Sequence, residues 1–424
     1  MSGAESQNKP SYRVPSMTEI AALPWNGFTA VSTFSGCGGS SLGYKMAGFR
    51  VLWANEFIPA AQDVYRRNHP QTLLDARDIR MIQAQEILDA IGMQAGDLDL
   101  FDGSPPCASF STAGKREAGW GKVKPYSDTK QRTDDLFFEY ARLIAGVKPK
   151  VFVAENVSGL VKGTAKGYFK EILRALKACG YMVEARLLDA QWLGVPQMRQ
   201  RLIFIGVRQD LAQQYGVAPT FPSPLPYRYS VRDALPWIQA VEGANGFNKH
   251  AFSSAAGVAA TAELSRPLQV IARRAYRDAR GAFGNDGDIT DRPAPTVLSD
   301  SVGTHWIEAE TDISRYAIGA EWERTGIGES NEHYFSLKRA AVNGPSYTVT
   351  ADGGQTDKAS VTHPTEKRKF SIAELKRICA FPDDFQLTGT YAQQWERLGR
   401  AVPPVMMSHI ARTIAQEILC KLSN

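Results

Sequence analysis

Between residues 29 and about 208, short runs of β-branched or apolar residues alternate with longer amphipathic stretches. This alternation is typical of strand and helix units that build a mostly parallel sheet. Strands are predicted at residues 29–34, 51–54, 98–101, 151–154, 182–188 and 201–207, and helices at residues 133–145, 165–179, 371–380 and 405–422. The sequence therefore predicts an α/β fold with a doubly wound, mostly parallel sheet.

A cluster of prolines ends this region. Residues 221–226 read Phe-Pro-Ser-Pro-Leu-Pro, and such breakers are typical of a boundary or linker. From there to about residue 362 the chain is rich in Gly, Arg, Asn and Asp, which predicts loops and short strands. We expect a flexible tail at residues 1–27, a main domain at residues 28–215 plus 390–424, and a second, smaller domain with a hinge at residues 216–389.

Composition excludes several classes of protein. The 424 residues are 43% hydrophobic and 22% charged, which is globular rather than disordered composition. A net charge of +5 permits a polyanionic partner without proving one. The five cysteines stand singly, and cysteine and histidine form no metal-binding cluster, so we expect no disulfide framework, no metal and a reducing cytoplasm. No signal peptide or membrane span is recognisable, so no membrane partner is expected.

The first candidate site follows the first predicted strand and reads F-S-G-C-G-G at residues 34–39. Glycines between a strand and a helix let a nucleotide-like ligand approach the backbone closely. Ser41 stands where the last glycine of a full dinucleotide motif would be, so an ordinary tight turn is the alternative. Glu56 lies about 20 residues beyond Gly36, where an acidic side chain can accept hydrogen bonds from ribose hydroxyls. A solvated glutamate is the alternative at that position.

The second candidate site reads D-G-S-P-P-C at residues 102–107 and presents a thiol, Cys107, after a rigid double proline. The carboxyl edge of a parallel sheet is where ligands bind, although a lone cysteine is otherwise more often a small buried hydrophobic residue. Residues 108–132 are rich in Gly, Lys and Arg, which predicts a mobile basic loop able to cover a phosphate backbone. A merely solvated loop is the alternative.

Two shorter motifs add charged groups at strand ends. Residues 154–157 read A-E-N-V and contain Glu155, and residues 197–201 read Q-M-R-Q-R and contain Arg199 and Arg201. Each motif is weak alone. Together the four motifs place a thiol, a carboxylate and guanidinium groups at the edge of a sheet that can also hold a nucleoside.

In this order the motifs resemble those of the cytosine-C5 DNA methyltransferase family, and F-P-D-D-F and G-R-A-V-P-P near the C-terminus extend the match to almost the whole chain from Phe28. The resemblance implies a class I, Rossmann-like methyltransferase fold, S-adenosylmethionine as methyl donor and double-stranded DNA as substrate. It implies that residues 28–215 plus 390–424 form the catalytic, cofactor-binding domain. The target-recognition domain would then lie within residues 216–389. Catalysis needs only one chain, so we expect a monomer.

The resemblance also implies a role for each matching residue. Cys107 would add to C6 of a flipped-out cytosine, Glu155 would hydrogen-bond N3 and the exocyclic amine, and Arg199 and Arg201 would position and polarise the base. The residues implied at the donor are Phe34, Ser35, Gly36, Gly38, Gly39, Glu56 on the ribose, Asp78 and Ile79 near the adenine, Pro105, Arg400, Ala401 and Val402. The DNA contacts implied or expected are Ser111, Lys115 and Arg116 in the basic loop and Arg273 and Arg274 in the second domain.

Two assignments stay open. The arginines near residue 273 form a run that an exposed helix face touching nothing would also explain. The family segment that precedes the C-terminal helices matches residues 344–350 best, with residues 292–297 as a rival. Besides DNA methylation within a restriction-modification or phage system, RNA cytosine methylation and a catalytically silenced DNA-binding protein are alternatives.

The last motif departs from the family, which usually has Asn where this chain has Arg400. The resemblance places this segment beside the donor, so a guanidinium there would oppose a positive sulfonium. Three interpretations follow. Arg400 points away to a DNA phosphate, or it impairs activity, or it pairs with a carboxylated analogue of S-adenosylmethionine and the product is carboxymethylcytosine.

Overall fold

The computed structural model describes residues 9–106, 124–126, 129–131, 135–161, 166–238 and 311–422. Its centre is a seven-stranded sheet with the order β3-β2-β1-β4-β7-β9-β8. The strands in this part of the chain are β1 Thr29–Thr33, β2 Arg50–Asn55, β3 Leu73–Asp75, β4 Leu100–Gly103, β5 Lys124–Tyr126, β6 Thr129–Gln131, β7 Val151–Val157, β8 Tyr181–Asp189 and β9 Gln200–Arg208. Strands β5 and β6 form a separate antiparallel pair.

The direction of the strands confirms the predicted doubly wound, mostly parallel sheet. Strands β3, β2, β1, β4 and β7 are parallel, and β9 is antiparallel to both β7 and β8. All six predicted strands are present, although β4 starts two residues later than predicted and β7 extends three residues further. Because of that extension, Glu155 lies within β7 rather than after it.

Helices cover both faces of the sheet. One face carries a core that includes Trp53, Phe101 and Phe152, and the other carries a core that includes Tyr44 and Ile205. A sheet that is buried on both faces needs a layer of helices against each face. The helices that follow the first strands and line these faces are Gly39–Met46, Pro59–Asn68, Ala84–Ile91, Leu136–Val147, Lys166–Ala178 and Gln209–Tyr215.

The C-terminal segment closes the second face. The predicted helix at residues 405–422 is present as an α-helix Pro404–Ile414, a π-helical turn Ala415–Leu419 and a last turn Cys420–Leu422. It packs so closely on the helix Gly39–Met46 that a Cβ at Gly43 would lie 2.5 Å from the Cβ of Met407. The helix that follows β1 therefore depends on residues almost 370 positions away.

Residues 9–27 differ from the flexible tail that the sequence predicts. They contain the short helix Met17–Ala21, in which Ile20 is buried. The Tyr12 hydroxyl donates to the carbonyl of Arg377 at 2.6 Å, and the Met17 amide donates to the Asp384 carboxylate at 3.0 Å. The segment is therefore packed against the body of the protein. Its scattered apolar residues gave no periodic signal to indicate this contact.

Within residues 216–389, the structure describes residues 216–238 and 311–389. They hold β10 Lys338–Arg339, β11 Val361–Thr362 and the helices Val231–Ala234, Ala317–Arg324 and Ile372–Ile378, followed by the helix Tyr391–Arg400. Val231, Val349 and Phe370 share a core with Leu42 of the helix after β1. The division at residues 216 and 389 stays a prediction, because residues 239–310 of the proposed second domain lie outside the described residues. Among the helices that are described, none is long and apolar enough to span a bilayer.

Candidate active site

The order of the sheet reverses at β1, because the chain runs outward from β1 to β3 and then returns to β4 on the other side. Ligands bind at the carboxyl ends of the strands at such a switch point. The loop that follows β1, residues 34–39 and called the donor loop below, takes unusual backbone angles, with φ of 52° at Phe34, 56° at Gly36 and 91° at Gly38. A non-glycine residue in this region costs of order 1–3 kcal/mol, and such strain concentrates at ligand sites.

Glu56 follows β2 and turns its carboxylate back to the donor loop. Its Oε2 accepts the Gly36 amide at 2.7 Å and its Oε1 accepts the Ile58 amide at 2.7 Å. Burial raises the pKa of Glu56, and the two amides oppose that shift. A carboxylate has about four acceptor positions, so both oxygens retain capacity for a ligand hydroxyl. The contact with Gly36 explains how residues so far apart in sequence reach one site.

Three further residues lie along the same edge of the sheet. Asp78 caps a 3₁₀ turn by accepting the Arg80 amide at 3.0 Å, and Ile79 is buried. Phe57, which the sequence analysis did not single out, leaves 37% of its surface exposed beside Glu56. An exposed aromatic ring directly after a buried acid is a signal that could have identified it, because aromatic faces stack on nucleobases.

The end of β4 carries the second candidate motif. Its register with β1 pairs Asp102 with Ser32, and the Ser104 amide donates to Thr33 at 3.4 Å. The Asn156 side chain donates to the Pro105 carbonyl at 3.2 Å. The residue after Glu155 is thus bonded to the residue two positions before Cys107. The site residues that lie outside the described parts of the chain are Cys107, Ser111, Lys115, Arg116, Arg273 and Arg274.

Burial makes three of the described cysteines poor nucleophiles. Cys37 and Cys379 are buried, and burial raises their pKa values to about 12 and about 11. Burial also raises the pKa of Cys179. A thiol with such a pKa carries almost no thiolate at neutral pH, and the thiolate is the reactive form. Cys420 is exposed but lies in the last helical turn of the chain.

Glu155 forms a buried ion pair at the end of β7. Its Oε1 lies 2.6 Å from Nε of Arg201, and the two side chains are only 10% and 14% exposed. The antiparallel register brings them together, since Val157 of β7 pairs with Arg201 of β9. A carboxylate held by a guanidinium next to the Asn156–Pro105 contact can accept hydrogen bonds from N–H groups at the edge of a planar ring.

Arg199, which the sequence predicts at the base, has a guanidinium that is held by backbone carbonyls. Its guanidinium is buried and donates to the carbonyls of Val349 at 3.1 Å and Gly399 at 2.9 Å. Burial and the charge of Arg201 lower the pKa of Arg199 to about 9. In a regular strand Arg199 and Arg201 would share one face, but Arg199 precedes β9, so this alternation does not set its direction. Arg199 thus joins three distant segments through their backbone.

We expect the Arg199→Ala substitution to destabilise the fold by about 3–5 kcal/mol, because it leaves two carbonyls unpaired and a cavity in the core. Thermal or urea unfolding measures this change. Arg66→Ala is the matched control, since the Arg66 side chain is about half exposed and makes a long ion pair with Asp63 at 3.8 Å and a long hydrogen bond to Gln62 at 3.4 Å. Equal stability of the two variants would contradict this account of Arg199.

The segment with Arg400 does lie against the donor loop. A Cβ at Gly39 would meet the Val402 carbonyl at 2.3 Å and the Ala401 Cβ at 3.3 Å, so only glycine fits there. Arg400 itself is the last residue of the helix Tyr391–Arg400, and its Nε donates to Glu396 one turn earlier at 2.7 Å. Its charge therefore has a carboxylate partner on its own helix.

A seven-stranded sheet with one reversed strand, a glycine loop after β1 and an acid after β2 define an enzyme of the class I methyltransferase type. The sequence profile of the C-5 cytosine-specific DNA methylases matches residues 28–416. The chain belongs to this family.

Relatives and solved structures agree with this assignment. The chain is 28% identical to the Type II methyltransferase M.XorII of Xanthomonas oryzae pv. oryzae, over 92% of this chain and 84% of that protein. It is 30% identical to the Type II methyltransferase M1.HphI of Haemophilus parahaemolyticus, over 91% of this chain and 86% of that protein. A crystal structure of a protein named as a DNA modification methyltransferase, encoded within an E. coli prophage, superposes with a TM-score of 0.62 at 20% identity and covers 93% of this chain and 100% of its own. At that identity the likeness concerns the fold alone.

In the described residues, no group of three or more His, Cys, Asp or Glu side chains could hold a metal ion.

Proposed function

We propose that this protein transfers a methyl group from S-adenosylmethionine to C5 of a cytosine in double-stranded DNA, with Cys107 as the covalent nucleophile. The observation that carries the proposal is the bond from Asn156 to the Pro105 carbonyl. It holds the Glu155–Arg201 pair next to the strand end that leads into Cys107. Type II methyltransferases among the relatives support a role in DNA modification.

The residues around the donor loop fit the methyl donor. The loop ends in the helix Gly39–Met46, whose first amides point to the switch point, and Glu56 retains acceptor positions for ribose hydroxyls. Phe57 offers an exposed ring, and Asp78 with Ile79 continues the same edge. When bound, the donor supplies an electrophilic methyl group on a sulfonium.

The protein residues then perform the remaining steps. The Cys107 thiolate forms a bond to C6 of cytosine, and the ring electrons move to C5, which takes the methyl group. Glu155 accepts a hydrogen bond from the exocyclic amine and shares a proton with N3, and the protonated ring better accommodates the electrons that the thiolate brings. Arg201 orients Glu155 and the base. Transfer of the C5 proton to water restores the double bond, and the C6–S bond breaks to release the Cys107 thiolate. The base must leave the helix first, since a stacked cytosine exposes no C6 to a thiol.

The test of the function is nucleoside analysis of substrates after incubation with the protein and S-adenosylmethionine. We expect 5-methylcytosine in duplex DNA and none in RNA of the same sequence. Product in RNA alone would favour the RNA methyltransferase alternative. Absence of product from both, with retained DNA binding, would favour the silenced DNA-binding protein.

Use of a carboxylated donor selected by Arg400 is not favoured, because Glu396 already pairs with the guanidinium. We expect Arg400→Asn to change the Kd of S-adenosylmethionine by less than about three-fold, as an exposed i,i+4 ion pair contributes little. Calorimetric titration measures this. If Arg400→Asn lost more than ten-fold in affinity for the carboxylated analogue and kept its affinity for S-adenosylmethionine, the result would support selection of the cofactor by Arg400.

A further inference from the structure

Asp102 is a buried acid that the mechanism above does not use. It lies in β4, five residues before Cys107, and only 1% of its surface is exposed. Its Oδ2 accepts the Ser32 hydroxyl at 2.9 Å, and its Oδ1 accepts the Tyr44 hydroxyl at 2.9 Å. The Ser35 hydroxyl in the donor loop donates in turn to the Ser32 hydroxyl at 3.1 Å. A continuous chain of hydrogen bonds therefore joins the donor loop to the strand of the nucleophile.

The other acid of this strand pair has a different environment. Asp99 lies three residues earlier, at the opposite edge of the sheet, where it accepts the Thr29 amide at 2.8 Å and pairs with Lys150 at 2.8 Å. The lysine compensates its charge. The hydrogen-bond partners of Asp102 are neutral hydroxyls, and a buried carboxylate without a cation costs free energy. A cationic ligand at the switch point would supply the missing charge.

We propose that Asp102 is a positioning residue for the methyl donor, which holds the donor loop against the nucleophile strand and sets a negative charge beneath the site of the donor's sulfonium. This inference rests on the proposed function. It explains why an acid that has no cationic partner among the described residues lies at the point where the sheet order reverses. It also predicts that the charged donor and the uncharged thioether product differ in their response to Asp102.

The protonation of Asp102 makes the proposal measurable. Burial raises the pKa of Asp102 to about 7, the Ser32 and Tyr44 hydroxyls oppose this, and the Glu155 carboxylate adds to it. Tyr65 and Tyr140, on two other helices packed around it, also interact with Asp102. A positive donor favours the ionised acid, so donor binding should strengthen as the pH rises through about 7. The product S-adenosylhomocysteine lacks the sulfonium charge and should respond little.

The same shift has a consequence for stability. Between the ordinary aspartate pKa and about 7, the folded protein holds a proton that the unfolded chain has lost, so the contribution of Asp102 to stability falls as the pH rises. Asp102→Asn removes this effect and keeps the shape of the side chain. We therefore expect this variant to unfold at the same temperature as the unsubstituted protein, or a higher one, at pH 8.

The experiment compares Asp102→Asn with Asp99→Asn in the full chain. Titration calorimetry gives the Kd of S-adenosylmethionine and of S-adenosylhomocysteine at pH 6 and pH 8. For the unsubstituted protein we expect tighter donor binding at pH 8. For Asp102→Asn we expect donor binding weakened about ten-fold at pH 8, as for the loss of one charge interaction, and no pH dependence from this group. Asp99→Asn should keep the pH dependence even where its unfolding temperature falls.

The outcomes separate the inference from the proposed function. The role of Asp102 would be overturned if Asp102→Asn bound the donor with the affinity and the pH dependence of the unsubstituted protein. It would also be overturned if Asp99→Asn lost the pH dependence of donor binding to the same extent. Failure of the unsubstituted protein to bind S-adenosylmethionine at either pH would overturn the proposed function and this inference with it.

Discussion

Replacing Cys107 with alanine is expected to reduce methyl transfer to cytosine by at least about 10³-fold, because in the proposed mechanism its thiolate forms the bond to C6. Cys37 and Cys379 are buried with pKa values raised far above neutrality. Binding of S-adenosylmethionine should be retained, since the donor loop and Glu56 do not depend on the thiol. Single-turnover methylation of duplex DNA measures the rate, and calorimetry measures donor binding.

Cys420→Ala is the matched control for this variant. Its thiol is exposed and lies in the last helical turn, so its loss should leave the rate within about two-fold of the original. A Cys107→Ala protein that methylated DNA at a rate within ten-fold of the unsubstituted protein would contradict the covalent mechanism.

The Glu155→Gln substitution should lower the rate of methyl transfer by about 10²–10⁴-fold, the usual contribution of a positioned acid or base. Glutamine keeps the size of the side chain but loses the negative charge that pairs with Arg201 at 2.6 Å. The loss should appear in kcat for the DNA substrate, with the Kd of S-adenosylmethionine unchanged, because the proposed mechanism assigns Glu155 to the base and not to the donor.

Glu184→Gln on β8, the edge strand of the same sheet, provides the comparison. Glu184 also pairs with an arginine, Arg186, at 3.3 Å, but both side chains are about half exposed. Surface pairs of this kind contribute little, so its activity should not change. An equal loss of kcat in Glu155→Gln and Glu184→Gln would mean that the substitutions disturb the sheet in general, and it would contradict a specific role for Glu155 in the site.

The central strands were predictable because nearly all of their residues are buried, which favours runs of β-branched and apolar residues. The six predicted strands are all present, and the strand of this sheet that the prediction missed is β3. Strand β3 has three residues at the sheet edge, with Leu73 about half exposed, so it carries little hydrophobic signal. Its presence still matters, since the donor edge continues from β3 to Asp78.

The sequence predicted which segments meet at the site, but it was less informative about the positions of individual side chains. Carboxyl ends of parallel strands share an edge, which brings Glu56 to the donor loop and Glu155 to the strand that leads into Cys107. The burial of Arg199 depends on carbonyls from residues 349 and 399, which no local pattern reveals. Asp102 was missed for a similar reason, because its partners Ser32 and Tyr44 come from other elements.

The most direct measurement uses duplex DNA in which the target cytosine carries fluorine at C5. After methyl transfer, C5 has no proton to lose, so the bond between Cys107 and C6 cannot break by the normal route. We expect a complex that survives denaturation, forms only when S-adenosylmethionine is present, and yields on peptide mapping a nucleotide adduct at Cys107. Methylation of ordinary DNA without such a complex, or an adduct on another residue, would contradict the account.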